Sequence, residues 1–259
     1  MPEEFELTLR ACCTDARSLF RSIASLRSLG PYATVLRHAR DLHDEYFDTR
    51  SAGLSKASLA LRLRTAGPRT LLCLKGRERI DEHGSVRRLE IEGPWSRETL
   101  EQVSEAAEGI LPEPAALLPD DPRATLLGMG LLVIQSRAMH RTVLDIVPAG
   151  DAPGSPLGEL ALDAVEFRLK QGVYLHHEAE IEAASKDREA MVPAFASLLM
   201  EAFPGALCPW PHNKLVTGLA LDALVSQGAI PEPPGEGIAV TEEAYARIDA
   251  WVRQGRPAS

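Results

Sequence analysis

Positive charge is in deficit in this chain of 259 residues, where 28 Lys and Arg stand against 37 Asp and Glu for a formal net charge of −9. Nucleic-acid phosphates are gathered mainly by Lys and Arg, so the balance excludes a generally basic nucleic-acid binder and leaves room only for a local positive site. Cysteine is scarce. The four residues Cys12, Cys13, Cys73 and Cys208 contain no CxxC, which is neither a zinc-ligand spacing nor a disulfide framework, so reduced thiols are the expectation. Long apolar runs are missing too. The longest, 126–134, is interrupted by Gly128 and Gly130 and falls far below the roughly 20 residues of a membrane span. The opening Met-Pro-Glu-Glu-Phe-Glu is acidic and has no apolar core. Neither export nor a membrane partner is expected, and the cytoplasm is the expected location. Aromatics make up 5% of the chain, and Trp95, Trp210 and Trp251 all fall outside the expected strands, which leaves no evident platform for a nucleobase. HExxH motifs, spaced His pairs and solenoid repeats are absent from the sequence.

What is present is an ordinary globular composition, 45% hydrophobic and 25% charged. Period-2 alternation marks strands near residues 3–10, 43–49, 58–65, 70–77, 86–92, 133–146, 157–166 and 174–183. Thr14 can cap a helix running to about Leu29, Ser96 one starting at Arg97, and helical spacing covers 187–201 and 213–226. Pro-rich stretches at 111–122 and 231–237 read as loops or linkers. Beyond the second, Thr241 to Val252 reads as an appended amphipathic helix. The fold class is therefore α+β, rich in antiparallel strands. The expected organisation is a main domain over 1–228 with a linker and C-terminal helix over 229–259.

The polar faces of these strands carry the information, because side chains at i and i+2 point the same way. Glu4, Glu6, Thr8 and Arg10 share one face, as do Arg62 and Arg64, then Arg88, Glu90 and Glu92, then Arg137 and Arg141, then Glu159 and Asp163, then Glu178, Glu180 and Glu182. A wet sheet face carries mixed charges as a rule; these faces are instead nearly pure Glu-x-Glu or Arg-x-Arg. Closed into a barrel with these faces inward, the sheet would form a tunnel lined by both signs of charge. Hard carboxylate oxygens suit Mg²⁺ or Mn²⁺, and guanidinium groups suit phosphate oxygens. Together they suit a metal–polyphosphate, although cross-strand Glu–Arg pairing would also resolve the charge conflict. Asp15, Asp41 and Asp44 read as loop and helix-start residues, and His176 and His177, adjacent on a strand, point to opposite faces.

At this point the chain, from residue 4 to about 222, resembles the CYTH proteins, or triphosphate tunnel metalloenzymes. The resemblance rests on an ordered set: Glu4-Phe-Glu6-Leu-Thr8 against an ExExK signature, Tyr46-Phe-Asp48-Thr49, Leu61-Arg62-Leu-Arg64, and Leu74-Lys75-Gly76. It continues with Glu90 and Glu92, Arg137 and Arg141, Glu159 to Asp163, Glu180 and Glu182, and Asn213-Lys214. The resemblance implies an eight-stranded antiparallel closed tunnel with surrounding helices. It also implies phosphate ligands at Arg62, Arg64, Lys75, Arg137, Arg141 and Lys214, with metal ligands at Glu4, Glu6, Glu90, Glu92, Glu159, Glu180 and Glu182. Chemistry is expected to centre on Glu4, Glu6, Arg62, Arg64 and Lys75.

Two departures stand out. Thr8 replaces the signature lysine, with Arg10, one pleat further along the same face, a candidate to supply the charge; Asn213 replaces a serine and could still cap a helix. The leading expectation is Mg²⁺- or Mn²⁺-dependent hydrolysis of a triphosphate, inorganic tripolyphosphate being favoured. Nucleotide cyclisation of the class IV adenylate cyclase type and a non-catalytic polyphosphate- or nucleotide-binding tunnel are the alternatives. A small-molecule partner is expected, nucleic acid is not, and the appended helix could serve a homodimer.

Overall fold

The computed structural model describes residues 3–80, 86–113, 120–150, 155–233 and 237–255, with backbone alone for 3–4, 77–80 and 86–89. The chain opens with β1 (Glu3–Ala11), α1 (Ala16–Ser25), β2 (Ser28–Leu29), β3 (Tyr32–Thr49), α2 (Gly53–Lys56), β4 (Ala60–Ala66), β5 (Arg69–Ile80) and β6 (Val86–Pro94). It continues through α3 (Arg97–Ala106), α4 (Pro122–Gly128), β7 (Leu131–Pro148), β8 (Gly158–Leu169) and β9 (Gly172–Ala183). It ends with α5 (Met191–Ala202), β10 (Leu207–Pro209), α6 (Lys214–Ser226), β11 (Ile238–Ala239) and α7 (Glu242–Arg253).

The fold is mixed α+β around one sheet, whose order is β10-β1-β6-β5-β4-β3-β7-β8-β9-β11. All pairs are antiparallel except β11–β9. The strand count of eleven corrects the expected eight: each of the eight expected segments is a long strand, and β2, β10 and β11 add two or three residues each. β1 pairs with β6 through Glu3–Glu6, with β9 through Glu6–Arg10, and with β10 through Leu9–Ala11. β3 begins at Tyr32, not at residue 43. A register shift between Leu36 and His38 breaks its alternation, so the first half of the strand loses the period-2 signal.

Helix ends follow capping chemistry. Asp15, not Thr14, caps α1, its carboxylate accepting from the Ser18 N–H at 3.0 Å, and the helix stops at Ser25 because Ser28 and Leu29 pair with β3. Ser96 and Asn213 cap α3 and α6 as expected, accepting from the Thr99 and Val216 N–H groups at 3.1 and 2.9 Å.

Both faces of the sheet are covered. Alternate residues on one face pack under helices: Leu7, Leu9, Leu160 and Ile181 against α1 and α5, and Leu61, Leu63 and Leu72 against α2, α3 and α4. The other face carries the charged rows, and beyond them Leu42, Met139, Val165, Phe167 and Tyr174 form an apolar end. There α6 and α7 dock through Leu221, Leu224, Tyr245 and Ile248. Gly218 permits the close approach of α6, since a Cβ there would lie 2.3 Å from Gln135 Nε2 and 2.8 Å from the Phe167 ring.

Cys12 and Cys208 form a disulfide, which corrects the expectation of four reduced thiols; Cys13 and Cys73 are free. The pairing of β1 with β10, Ala11 opposite Leu207, brings together cysteines 196 residues apart. No helix among the described residues is long and apolar enough to cross a membrane.

Candidate functional site

The charged face borders a cavity of about 910 Å³. Eleven of the expected site residues line it: Arg62, Arg64 and Lys75 from β4 and β5, Glu90 and Glu92 from β6, Arg137 and Arg141 from β7, Glu159, Glu180 and Glu182 from β8 and β9, and Lys214 at the start of α6. The ten on strands converge because alternation sends every second residue of each strand to this face, and Lys214 joins them from the first turn of α6. Arg40 lines the cavity as well, although it falls in the half of β3 that the sequence pattern did not mark as strand.

Three expected residues stand apart. The Glu4 side chain lies outside the described residues. Glu6 is buried opposite Glu182 in the β1–β9 register but is not part of the cavity wall. Arg10 points away from the cavity wall: its guanidinium grips the Glu242 carboxylate at 2.6 and 2.7 Å and stacks 4.1 Å from the Tyr245 ring. A bidentate partner on α7 therefore holds the charge expected to compensate for Thr8.

The arginines are organised by Asp44, a strand residue where a loop or helix-start role is expected from sequence. Asp44 lies within β3, 1% exposed, and accepts from Arg64 Nε and Nη2 at 2.8 and 2.9 Å and from Arg137 Nη2 at 2.8 Å, with Arg62 at 3.7 Å. Burial acts to raise its pKa, yet Arg62, Arg137 and Arg64 outweigh this and hold the carboxyl well below its usual range. The period-2 relation of Asp44 to Tyr46 and Asp48 was the available signal. Tyr46 accepts from Arg137 at 2.7 Å, whereas Asp48 receives the Leu54 and Ser55 N–H groups and so anchors α2. Asp41, also on β3, is exposed and meets His140 at 2.7 Å.

Cross-strand pairing continues around the wall. Arg62 donates to Glu92 at 2.9 Å, Lys75 lies 3.2 Å from Glu90, and Arg141 donates to Asp163 at 2.6 and 2.8 Å and to Glu180 at 2.6 Å. Lys214 Nζ sits among Asp163 at 2.9 Å, Glu180 at 2.6 Å and Glu178. Burial opposes ionisation of Asp163 and Glu180, and the nearby Arg141 and Lys214 charges reverse this and lower both pKa values. The charge conflict is thus partly resolved within the protein. Of the buried donors without a hydrogen-bond partner among the described residues, Arg62 Nε and Arg137 Nη1 belong to residues that line the cavity, whereas Arg10 Nε and Trp251 Nε1 do not.

The carboxylates fall into groups with different fitness for a cation. Asp163, Glu178 and Glu180 bring oxygens within 4.8 Å of one another, but the Lys214 ammonium already sits among them. Cys73 joins Glu90 and Glu92 in a second such group; burial pushes its thiol up to about 11, so it is neutral and a poor partner for a hard ion. Glu6, Glu182 and Glu159 stand side by side in register on β1, β9 and β8, with Glu159 engaged by Arg37 at 2.5 Å. Hard oxygens from this row and from Glu90 and Glu92 fit Mg²⁺ or Mn²⁺ in donor type.

His176 and His177 do diverge: His176 is fully buried beside Glu178, and His177 packs edge-on to Phe20 at 5.4 Å on the opposite face. Burial, then His176 and Arg17, lower the His177 pKa to about 4.

A CYTH domain family model matches residues 24–202. No curated protein sequence matches the chain. Among solved structures, a provisionally named adenylyl cyclase from Hippeastrum, whose structure is described as revealing a dominant triphosphatase activity, superposes with a TM-score of 0.55 at 19% identity. That match covers 88% of this chain and 97% of the other. A provisionally named adenylate cyclase from Bacillus halodurans gives 0.49 at 19% identity over 83% and 97% of the two chains. One from Vibrio parahaemolyticus gives 0.48 at 16% over 82% and 96%.

Proposed function

The chain belongs to the CYTH-domain family, and from that premise we propose that it is a Mg²⁺- or Mn²⁺-dependent triphosphatase working in a tunnel, with inorganic tripolyphosphate the favoured substrate. The tunnel reading is supported by the pairing of β1 with both β6 and β9, which stand at opposite ends of the row formed by the other long strands. The observation that carries the function is the pair of unsatisfied buried donors, Arg62 Nε and Arg137 Nη1, on the cavity wall. A buried donor without an acceptor costs about 1–3 kcal/mol, and phosphate oxygens entering the cavity remove that cost. The wall carries the basic residues Arg40, Arg62, Arg64, Lys75, Arg137, Arg141 and Lys214 beside the acidic residues Glu90, Glu92, Glu159, Glu180 and Glu182, and Asp44, Asp163 and Glu178 pair with Arg64, Arg141 and Lys214 next to them.

In this reading Arg62, Arg64, Arg137, Arg141, Lys75 and Lys214 bind phosphate oxygens and stabilise charge on the leaving phosphate. Glu6, Glu159, Glu182, Glu90 and Glu92 would hold the metal, with Glu4 continuing the β1 face. An ion held by these carboxylates would supply charge neutralisation at the phosphate oxygens and would acidify a water. The residues of the chain orient the phosphates along the wall and keep bulk water from the buried arginines.

The test is phosphate release from tripolyphosphate, ATP and thiamine triphosphate with Mg²⁺ or Mn²⁺, alongside thermal shift with the same ligands. Release from tripolyphosphate that disappears in Glu90→Gln supports the proposal; absence of both release and shift overturns it. A second reading, a binding tunnel without turnover, is favoured by one observation: Thr8 faces Glu180 across the β1–β9 pair, and the next basic residue on that face, Arg10, is held by Glu242. A thermal shift without release would select it.

A further inference from the structure

The helix α7 lies beyond the span matched by the family model, yet it reaches the cavity wall through an unbroken chain of buried hydrogen bonds. The Tyr245 hydroxyl lies 2.6 Å from His176 Nδ1, and His176 Nε2 lies 2.7 Å from Glu178 Oε2. The other oxygen of Glu178 meets the ammonium of Lys214, which lines the cavity. With a hydrogen on Nε2, His176 donates to Glu178, Lys214 donates to the remaining carboxylate oxygen, and Nδ1 and the Tyr245 hydroxyl share a hydrogen bond. Tyr245 and His176 are 4% and 0% exposed, so water does not compete for these bonds.

The chain is held from two further directions. Arg10 stacks over the Tyr245 ring at 4.1 Å while gripping Glu242 of the same helix, and Trp210 meets that ring edge-on at 5.1 Å. Among the described residues three carboxylates surround Lys214, and of these Glu178 takes its orientation from a residue fixed by α7.

We propose that Tyr245 and His176 are positioning residues through which the C-terminal helix sets the Glu178 carboxylate and so the placement of the Lys214 ammonium toward a bound triphosphate. This rests on the reading of Lys214 as a phosphate ligand. Without the Tyr245 hydroxyl the imidazole loses its fixed tautomer and orientation. Glu178 then loses a firm donor and draws Lys214 more strongly into the carboxylate cage, away from the ligand.

The test is the calorimetric Kd for tripolyphosphate with Mg²⁺, measured with melting temperature. Tyr245→Phe keeps the ring, its packing and the Arg10 stack, and is expected to weaken binding about three- to ten-fold, the equivalent of one hydrogen bond. His176→Leu should weaken binding similarly, whereas His176→Gln, whose amide can accept from Tyr245 and donate to Glu178, should restore it. A merely structural role would not separate Leu from Gln in Kd at matched melting temperatures. If Tyr245→Phe fails to fold, the two His176 variants carry the comparison. Lys214→Met separates the two levels of inference. Unchanged Kd in Lys214→Met removes the phosphate-ligand reading; weakened binding there with wild-type Kd in Tyr245→Phe and His176→Leu overturns the positioning chain alone.

Discussion

Replacing Asp44 with asparagine tests the central electrostatic device. The substitution keeps the shape of the side chain and removes the only buried anion shared by Arg62, Arg64 and Arg137 among the described residues. The Asp44 side chain has no exposed surface, and its arginine partners are 2–8% exposed at their side chains. Breaking a buried ion pair by neutralising one partner costs about 3–5 kcal/mol. A chain of this size loses about 2–4 °C per kcal/mol, so a cost of about 4 kcal/mol predicts a fall of roughly 8–16 °C in Tm. The sign with pH follows from the lowered pKa. The contribution of Asp44 is complete above the ordinary carboxylate value of 3.8 and is lost as pH falls through its lower folded-state value. The gap between wild type and Asp44→Asn should therefore be constant from pH 7 to 5 and close only below about pH 4. The guanidinium groups freed in the variant also lack an acceptor, so saturating tripolyphosphate should raise its Tm by more than that of wild type. The assay is calorimetric melting at three pH values with and without tripolyphosphate. A variant that melts within about 2 °C of wild type at pH 7 would refute Asp44 as the anchor of the arginine cluster.

Further expectations concern the disulfide, a glycine and a thiol. Breaking Cys12–Cys208, which spans 196 residues, should lower stability by up to about 5 kcal/mol on chain-entropy grounds, measurable as the difference between oxidised and reduced denaturant unfolding. Gly158→Ala would set a Cβ 2.3 Å from the Glu182 carbonyl oxygen and 2.3 Å from Met191 Cε; this overpacking should cost about 1–3 kcal/mol in thermal melts and disturb Glu159 beside it. Because burial raises the Cys73 thiol to about 11, maleimide at pH 8 should label Cys13 in the native protein and Cys73 only after unfolding, as read by peptide mass spectrometry.

Local sequence pattern sufficed wherever the physical cause is local. Alternation located the eight long strands and told the charged face from the apolar one, because side-chain direction in a strand depends only on parity along the chain. It was therefore enough to gather ten of the expected site residues on one cavity wall. Capping chemistry placed the starts of α3 and α6 for the same reason, since a cap involves residues two or three apart. Parity fails at the start of β3, where the shift between Leu36 and His38 resets the faces, so Arg40 lies outside the expected strand; Asp44 lies inside the expected strand over 43–49, and its reading as a loop or helix-start residue set aside its parity with Tyr46. Pairings between remote segments were decided by tertiary structure alone. Cys12 meets Cys208 because β10 returns to β1, and Arg10 meets Glu242 because α7 folds back onto the apolar end of the sheet. Lys214 is held at the cavity wall by Asp163, Glu178 and Glu180. Such contacts close loops of tens to hundreds of residues, and no periodicity in the chain encodes which remote partner a buried charge will find.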